Sequence, residues 1–288
     1  MTKEVYINNS SQKEIVRQKW LKFVSEFYNK EKGLSLLTFP SDELQELQLY
    51  AESGLINWIE RETGGLEITR GKVVWFEKES LKFSIITKKL INASSEYGEL
   101  GSVLRQKCQS IMNGDTKLFP VDMINLDFDI CISTIKVPIS ETIERIFQYQ
   151  SRHKKSFSFF MTWPHTEEFD LQDYKLQLKN AIQDNLTNPS ATAFKEQFTL
   201  TYKSVSNLDY EKLSIIGMVK LILRNSSYRK YKTTNSEMLV YGGHSNRKRM
   251  FSILLNFKFV GETQAQHLIY AEDVITALTN IEDLNQGL

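Results

Sequence analysis

The sequence predicts an α/β fold: a mostly parallel β-sheet with helices on both faces and an antiparallel hairpin near the C-terminus. Short apolar runs alternate with amphipathic helical segments along most of the 288 residues. Two of these runs, Val73–Glu77 and Val121–Asp129, end in acidic residues. Open α/β sheets bind ligands beside the carboxyl ends of their strands. The two acidic strand ends therefore indicate a binding site at that edge.

The composition is that of an ordinary globular protein without a strong overall charge. Hydrophobic residues make up 41% of the chain, charged residues make up 25%, and the formal net charge is +1. Binding to nucleic acid or to an anionic membrane would therefore need a local basic patch. No apolar run approaches the ~20 residues of a membrane span, and the first residues lack the pattern of a secretory signal. We therefore expect a soluble, cytoplasmic protein.

The N-terminal segment predicts a helix that precedes the main domain. Ser11 and Glu14 have the spacing of a capping box at a helix start. Apolar residues then recur at helical spacing, and Gly33 ends the segment. We expect residues 1–33 to form a helical extension and residues 34–288 to form the main domain.

The predicted strands follow one another with helices between them. Strands are expected near 34–39, 72–77, 110–113, 121–127, 156–162, 237–241 and 250–259. Helices are expected near 41–56, 79–92, 98–110, 140–150, 171–186, 209–225 and 271–284. A polar segment with two glycines joins the last two strands and is typical of a hairpin. A hairpin after five strand–helix units indicates that the last strands insert antiparallel to the rest.

This order of elements resembles the class I S-adenosylmethionine-dependent methyltransferase fold, a Rossmann-like sheet of seven strands with the last one antiparallel. The resemblance is one of pattern and covers about residues 34–259. In that family an acid at the end of the second strand binds the cofactor ribose, which implies this role for Glu77. An acid or amide after the third strand contacts the adenine, which implies Asp115. Phe39, at the end of the first strand, would lie beside the same S-adenosylmethionine.

The end of the fourth strand supplies the candidate catalytic residues. The family resemblance implies that Asn125, Asp127 and Asp129 face the methyl acceptor. Amino-methylating members that act on DNA have an Asn/Asp-Pro-Pro-aromatic motif at this place, and Asn125 and Phe128 keep its polar and aromatic positions without the prolines. Asp127 and Asp129 would lie in partly apolar surroundings, where repulsion between the two carboxylates raises the pKa of one of them. They could accept an amine, take a proton or hold a metal ion, although no third metal ligand is evident.

Basic residues concentrate near the predicted hairpin. Arg247, Lys248 and Arg249 lie at its tip, and Arg229 and Lys230 lie upstream. The simplest interpretation is a charged turn that protects a sheet edge. The alternative is a patch that contacts phosphates and binds nucleic acid without reading its sequence.

The sequence leaves two main functions open. The first is a methyltransferase-like transferase that acts on a nucleic acid or nucleotide. The second is a catalytically inactive binding or scaffold subunit of a larger bacterial protein complex. The second is favoured by the loop Thr38–Glu43, which has no glycine where the family's backbone approaches the cofactor closely. A magnesium nuclease would need a lysine at the site, and Lys78 would point away from Glu77. Motifs of NTPases and common hydrolases are absent.

Overall fold

A mixed β-sheet runs through the centre of the protein. The computed structural model describes residues 3–24, 27–128, 136–164, 172–189, 191–208, 210–242, 249–261 and 281–283. The strands are β1 (Ser35–Thr38), β2 (Asn57–Glu60), β3 (Leu66–Arg70), β4 (Lys72–Glu77), β5 (Leu90–Ile91), β6 (Ser94–Tyr97), β7 (Met123–Asp127), β8 (Phe157–Pro164), β9 (Tyr231–Gly242), β10 (Arg249–Phe259) and β11 (Ile281–Asp283). The helices are α1 (Lys3–Val24), α2 (Gln45–Glu52), α3 (Ser80–Lys89), α4 (Leu100–Gln106), α5 (Cys108–Met112), α6 (Ile139–Arg152), α7 (Gln172–Thr187), α8 (Thr192–Tyr202) and α9 (Tyr210–Tyr228).

The strand order confirms the predicted architecture. Within the described residues the main sheet has eight strands in the order β11-β9-β10-β8-β7-β1-β4-β6. The strands from β8 to β6 are parallel to one another, and β10 is antiparallel to both β8 and β9. From β1 the chain first adds β4 and β6 on one side and then β7 and β8 on the other. This reversal beside β1 is a topological switch point, the place where open α/β sheets bind ligands.

The central strands are apolar because helices cover both faces of the sheet. All eight residues of β8 are buried, as are the four middle residues of β4. Alternate side chains serve two cores: Val74 and Phe76 pack with residues of α4 to α9, whereas Val73 and Trp75 pack with residues of α1 to α3. A small mixed sheet of β2, β3 and β5 adjoins the second core.

The prediction of a third strand near residues 110–113 was wrong. Residues 108–112 form helix α5, and the strand that occupies the third place is β6. Strand β6 is short and polar because it lies at the edge of the sheet and pairs only with β4 among the described residues. It therefore lacks the apolar run that marks a buried strand. The small sheet of β2, β3 and β5 was missed for the same reason.

Both ends of the chain differ from the prediction. Helix α1 begins at Lys3 and ends at Val24, so Ser11 does not cap it. The predicted helix 271–284 lies mostly outside the described residues, and its described part, residues 281–283, is strand β11. No helix in the described part of the chain combines the length and the apolar character needed to cross a membrane.

Helix α1 packs against the main sheet. Trp20 is 3% exposed and its ring stacks on that of Phe160 in β8, with centroids 6.2 Å apart. Phe23 meets the same ring edge-on, and Val16 is also buried. The division into an extension (1–33) and a main domain (34–288) remains a prediction, and it can be tested through this contact.

We expect Trp20→Ala to lower the free energy of unfolding of the whole domain by about 3–5 kcal/mol, because it leaves a large cavity between α1 and the sheet. The measurement is urea unfolding followed by far-ultraviolet circular dichroism. Ile15→Ala is the control, since Ile15 on the same helix is 45% exposed and should cost about 0.5 kcal/mol or less. Equal midpoints for Trp20→Ala and the wild type would mean that the helix is a separable extension.

Candidate functional site

A cleft opens at the carboxyl edge of the sheet, at the switch point. The loops after β1, β4, β6 and β7 and one residue of α1 line it, and its volume is about 270 Å³. That volume is close to the lower end of the ~300–1,000 Å³ range of small-molecule pockets. Three residues that the sequence singled out, Phe39, Glu77 and Asp127, line this cleft.

The lining of the cleft is acidic. Six carboxylates and three lysines of the described residues contribute to it: Asp42, Glu46, Glu77, Glu79, Glu99 and Asp127, with Lys13, Lys78 and Lys82. The protein as a whole has a formal net charge of +1. The excess of negative charge is therefore a property of this site, where it favours a cationic ligand.

Glu77 stands at the end of β4 and organises the loop that follows. Its Oε1 accepts the backbone N–H of Glu79 at 2.8 Å, and its carbonyl oxygen accepts the N–H of Gly98 at 2.8 Å. The first bond orders the start of α3, and the second ties the β4 loop to the β6 loop. Among the described residues no hydrogen bond is formed by Oε2, so this oxygen is available to a ligand in the cleft.

The loop after β1 makes its turn without a glycine. Leu44 takes the left-handed conformation, with φ of 56°, and donates its N–H to the carbonyl oxygen of Ser41 at 3.0 Å. A left-handed backbone costs an L-residue about 1–2 kcal/mol, and the buried side chain of Leu44 offsets this cost by packing in the core. The hydroxyl of Ser41 is buried in the cleft wall without a partner in the described structure.

Asp127 lies at the end of β7, next to the first helix. Its Oδ2 is 3.7 Å from the Nζ of Lys13, and the side chains of Asp127 and Lys13 are 17% and 45% exposed. The adjacent Phe128 meets the ring of Phe39 edge-on at 5.3 Å. The loops after β1 and β7 are thus joined by an aromatic pair, and the ion pair closes the cleft on the side of α1.

Asn125 lies beneath the cleft and not at its rim. It is fully buried in β7, in register with Thr38 of β1, and both of its amide atoms lack hydrogen-bond partners among the described residues. The hydroxyls of Thr38 and of the fully buried Tyr50 are unpartnered in the same way. Such groups cost about 1–3 kcal/mol each when they stay unpaired. This buried polar cluster of Thr38, Tyr50 and Asn125 therefore needs a partner such as water or a ligand group.

Two buried tyrosines near the cleft remain protonated at neutral pH. Burial raises the pKa of Tyr50 well above its ordinary value, and the nearby Glu46 carboxylate raises it further. Burial also raises the pKa of Tyr241, with a smaller contribution from Asp127. The Tyr50 hydroxyl lies close to Asn125, but the two do not meet hydrogen-bonding geometry. Both tyrosines can therefore act as neutral hydrogen-bond donors.

Asp115 lies away from the cleft, at the amino-terminal edge of the sheet. Its carboxylate accepts the hydroxyl of Ser110 at 2.8 Å and the N–H of Lys117 at 2.9 Å. The carbonyl oxygen of the next residue, Thr116, accepts the ammonium of Lys72 at the start of β4. The predicted adenine contact depended on a strand at 110–113, and α5 stands in its place. Asp115 shapes a turn at the opposite edge.

The structure separates the residues of the predicted basic patch. Arg229 and Lys230 precede β9, whereas Arg249 pairs in register with Gly242 at the other end of that 12-residue strand. A strand of this length spans about 36 Å. Arg249 forms an ion pair with Glu211 at 3.4 Å. The prediction of a single basic patch was therefore wrong, because Arg229 and Lys230 lie at one end of β9 and Arg249 lies at the other. Arg247, Lys248 and the candidate catalytic residue Asp129 lie outside the described residues.

Sequence reasoning missed several residues of the cleft. Glu99 accepts the backbone N–H groups of Lys136 and Val137 at 3.2 Å and 3.1 Å, and so holds the segment that leads into α6. A correct prediction of β6 would have placed Gly98 and Glu99 at the site, because they directly follow this strand. Lys13 could be assigned to a helix from the sequence, but its position over β7 depends on how that helix packs. Among the described residues no group of three metal-binding side chains was found.

No protein-family model matches the chain, and no curated protein matches it. Among solved structures, the chain is similar to a crystal structure of a SAM-dependent methyltransferase from Methanosarcina mazei, with 7% identity and a TM-score of 0.38, covering 82% of this chain and 96% of that one. Similarity this low assigns no activity to the chain. The strand order and the cleft define its class: an open α/β protein with a cleft at the switch point.

We expect Asn125→Leu to raise the free energy of unfolding of the ligand-free protein by about 1–3 kcal/mol, because it removes a buried amide that has no protein partner. The measurement is the urea midpoint. Asn225→Leu is the contrasting variant, since Asn225 donates to the carbonyl oxygen of Leu221 at 2.9 Å and its loss should cost about 1 kcal/mol. Destabilisation by Asn125→Leu would mean that buried water already satisfies the amide.

Proposed function

We propose that the cleft binds S-adenosylmethionine and that the protein is a methyltransferase-like transferase. The observation that supports this most strongly is the position of the cleft: it lies at the switch point beside β1, with an acid at the end of the second parallel strand in sequence order. Ligands of open α/β sheets bind at such points. The Glu77 carboxylate can accept both hydroxyl protons of a ribose.

The charge of the cleft favours a cationic cofactor over a phosphorylated one. S-adenosylmethionine has a sulfonium and an ammonium group, whereas dinucleotides and nucleoside triphosphates are polyanions. Six carboxylates against three lysines attract the former and repel the latter. The β1 loop also has no glycine with which backbone amides could cradle a pyrophosphate.

The lining residues fit specific parts of the cofactor. Glu77 would hold the ribose, and Phe39 would contribute an apolar wall. When bound, S-adenosylmethionine supplies an electrophilic methyl group. Asp127 would accept a hydrogen bond from the methyl acceptor, or take its proton, and its ion pair with Lys13 would orient the carboxylate. We infer a nucleic acid or nucleotide as the acceptor class from Asp127 and Phe128, the acidic and aromatic residues at the end of β7 that line the cleft, whereas Asn125 lies beneath it.

The alternative is a binding or scaffold subunit that does not transfer a methyl group. It is favoured by the β1 loop, where Leu44 replaces the glycine turn and Pro40 stiffens the chain. The aromatic pair of Phe39 and Phe128 also narrows the space between the β1 and β7 loops. In this alternative the protein is a catalytically inactive subunit of a larger bacterial complex, and its cleft transfers no methyl group.

We expect S-adenosylmethionine to bind the wild type in isothermal calorimetry, and Glu77→Ala to weaken binding about 5- to 150-fold, because one buried polar contact is worth about 1–3 kcal/mol. Glu62→Ala is the control, since Glu62 is exposed on the segment between β2 and β3. Absence of heat with the wild type at about millimolar ligand would reject the cofactor. Binding without methyl transfer to any nucleic acid or nucleotide would favour the scaffold alternative.

A second test addresses charge. We expect Asp127→Asn to weaken binding of S-adenosylmethionine several-fold. Binding of S-adenosylhomocysteine, whose sulfur is a neutral thioether, should change by about two-fold or less, since only the sulfonium charge distinguishes the two ligands at a nearby carboxylate. Both affinities are measured by calorimetry at two salt concentrations. Equal losses for the two ligands would show that Asp127 acts through shape or through Lys13 and not through the sulfonium charge.

A further inference from the structure

The two edges of the sheet have opposite charge. Acids follow the parallel strands at the carboxyl edge, where the cleft lies. Basic residues precede the strands at the amino edge: Lys72 begins β4, Lys154 and Lys155 precede β8, and Arg229 and Lys230 precede β9. Strand β9 runs in the same direction as β8, because β10 is antiparallel to both. The basic residues therefore share one edge.

Hydrogen bonds hold the basic turns next to each other. The hydroxyl of Tyr231 donates to the carbonyl oxygen of Lys155 at 3.1 Å, which links the starts of β8 and β9. The carbonyl oxygen of Lys230 accepts the N–H of Val260 at 2.9 Å, which adds the end of β10 to the same edge. These hydrogen bonds fix the backbone of the basic surface.

The cations of this edge influence one another's ionisation. Burial lowers the pKa of His153, and the neighbouring Arg152, Lys72 and Lys155 lower it further. Burial, followed by Lys155, lowers the pKa of Lys72, while Asp115 and Asp122 act in the opposite direction. Mutual repulsion of this kind means that the positive charge at the edge is only partly neutralised.

The nearby acids neutralise only part of the charge. Asp122 is buried and pairs with Lys155 at 2.8 Å, and Glu144 pairs with Arg229 at 3.8 Å. Arg152 donates to the carbonyl oxygen of Met112 and not to an acid. In the described part of the chain, Arg152, Lys154 and Lys230 form no ion pair, and all three are exposed.

Two of the lysines occupy backbone positions that suit other residues. Lys154 has φ of 51° and Lys230 has φ of 66°, the left-handed region that favours glycine or asparagine. A lysine side chain strains the backbone in this conformation. Lysine at these turns therefore contributes charge at the expense of stability.

We propose that this amino-edge basic face, made of Lys72, Arg152, Lys154, Lys155, Arg229 and Lys230, binds the phosphate backbone of single-stranded nucleic acid. From β4 to β9 the edge crosses five strand spacings, or about 24 Å, enough for several successive phosphates. Tyr228, which is 54% exposed two residues before Lys230, offers a ring for base stacking, and the Arg224 guanidinium lies 5.6 Å from that ring. Stacking favours a single strand over an acidic protein segment.

The face is independent of the cleft and of the proposed cofactor. Strand β4 has Lys72 of the face at its start and Glu77 of the cleft at its end, and its six residues separate the two edges by about 20 Å. The face is an anchoring surface, because a single-stranded nucleic acid bound there contacts no residue of the cleft. S-adenosylhomocysteine should therefore leave its affinity unchanged, and failure of the cofactor proposal would not affect this test.

The test is fluorescence anisotropy with a labelled oligothymidylate of about 20 nucleotides across a salt series, with the full chain. Lys154→Asn/Lys230→Asn should weaken binding about 25-fold at about 0.1 M salt and lower the slope of log affinity against log salt by about 1.4, or 0.7 for each lost phosphate contact. The melting temperature should stay the same or rise, because asparagine tolerates the left-handed backbone. Tyr228→Ala should weaken binding about 5-fold or more through loss of one stacked base.

Lys195→Asn/Lys203→Asn is the matched control. Both lysines are exposed, and Lys203 also has a left-handed backbone, with φ of 65°. This variant loses the same charge on α8 and just beyond it and should bind like the wild type. The proposal would be overturned by an equal loss of affinity in the two double variants, or by an unchanged affinity in Lys154→Asn/Lys230→Asn. It would also be overturned if the wild type did not bind the oligonucleotide at low salt. If polyglutamate displaced the labelled oligonucleotide as well as polyuridylate does, the proposal would be overturned in favour of an acidic protein partner.

Discussion

The rest of the structure depends on the parallel pairing of β1 between β4 and β7. Strand β1 has only four residues, and its Leu36 and Leu37 are fully buried on opposite faces of the sheet. Because both faces are covered, charged side chains have no place along the central strands and collect at the two edges. Parallel pairing then gives the strands from β8 to β6 the same direction, and β9 shares it because β10 is antiparallel to both β8 and β9. Residues after these strands meet at one edge of the sheet, and residues before them meet at the other. The acidic cleft and the basic face both follow from this single constraint.

The same constraint explains what could be predicted from the sequence. Strands β4, β7 and β8 are apolar runs because they are central, and the residues at their ends therefore reach a common edge: Glu77 and Asp127, together with Phe39, were placed correctly at the cleft. The edge strand β6 has no such signal, and Asp115 was misplaced with it. Arg229 and Lys230 were misplaced because β9 begins at Tyr231, six residues before the predicted strand, which moves them to the far edge. Packing of α1, which brings Lys13 to the cleft, depends on long-range contacts that no local pattern encodes.

The buried polar cluster beneath the cleft shows where stability has been given up at the site. Thr38, Tyr50 and Asn125 stand on one face near the switch point, and each has a polar atom without a partner in the described structure. A sheet selected for stability alone would place aliphatic side chains there. Electrostatic interactions strengthen in a low-dielectric interior, so a ligand group that reaches these atoms would be bound more firmly there than at the solvated rim. The cluster and the acidic lining above it therefore act together: the lining attracts a cation, and the cluster supplies neutral donors and acceptors.

The opposite charges of the two edges also restrict how a nucleic acid can approach the cleft. At β4 the edges lie about 20 Å apart, which exceeds the Debye length of about 8 Å at physiological salt, so the charge of one edge has little effect at the other. Phosphates that favour the basic face are repelled by the carboxylates around Asp127. An acceptor base must therefore enter the cleft with its phosphates held outside, or belong to a different segment of the strand from the anchored one.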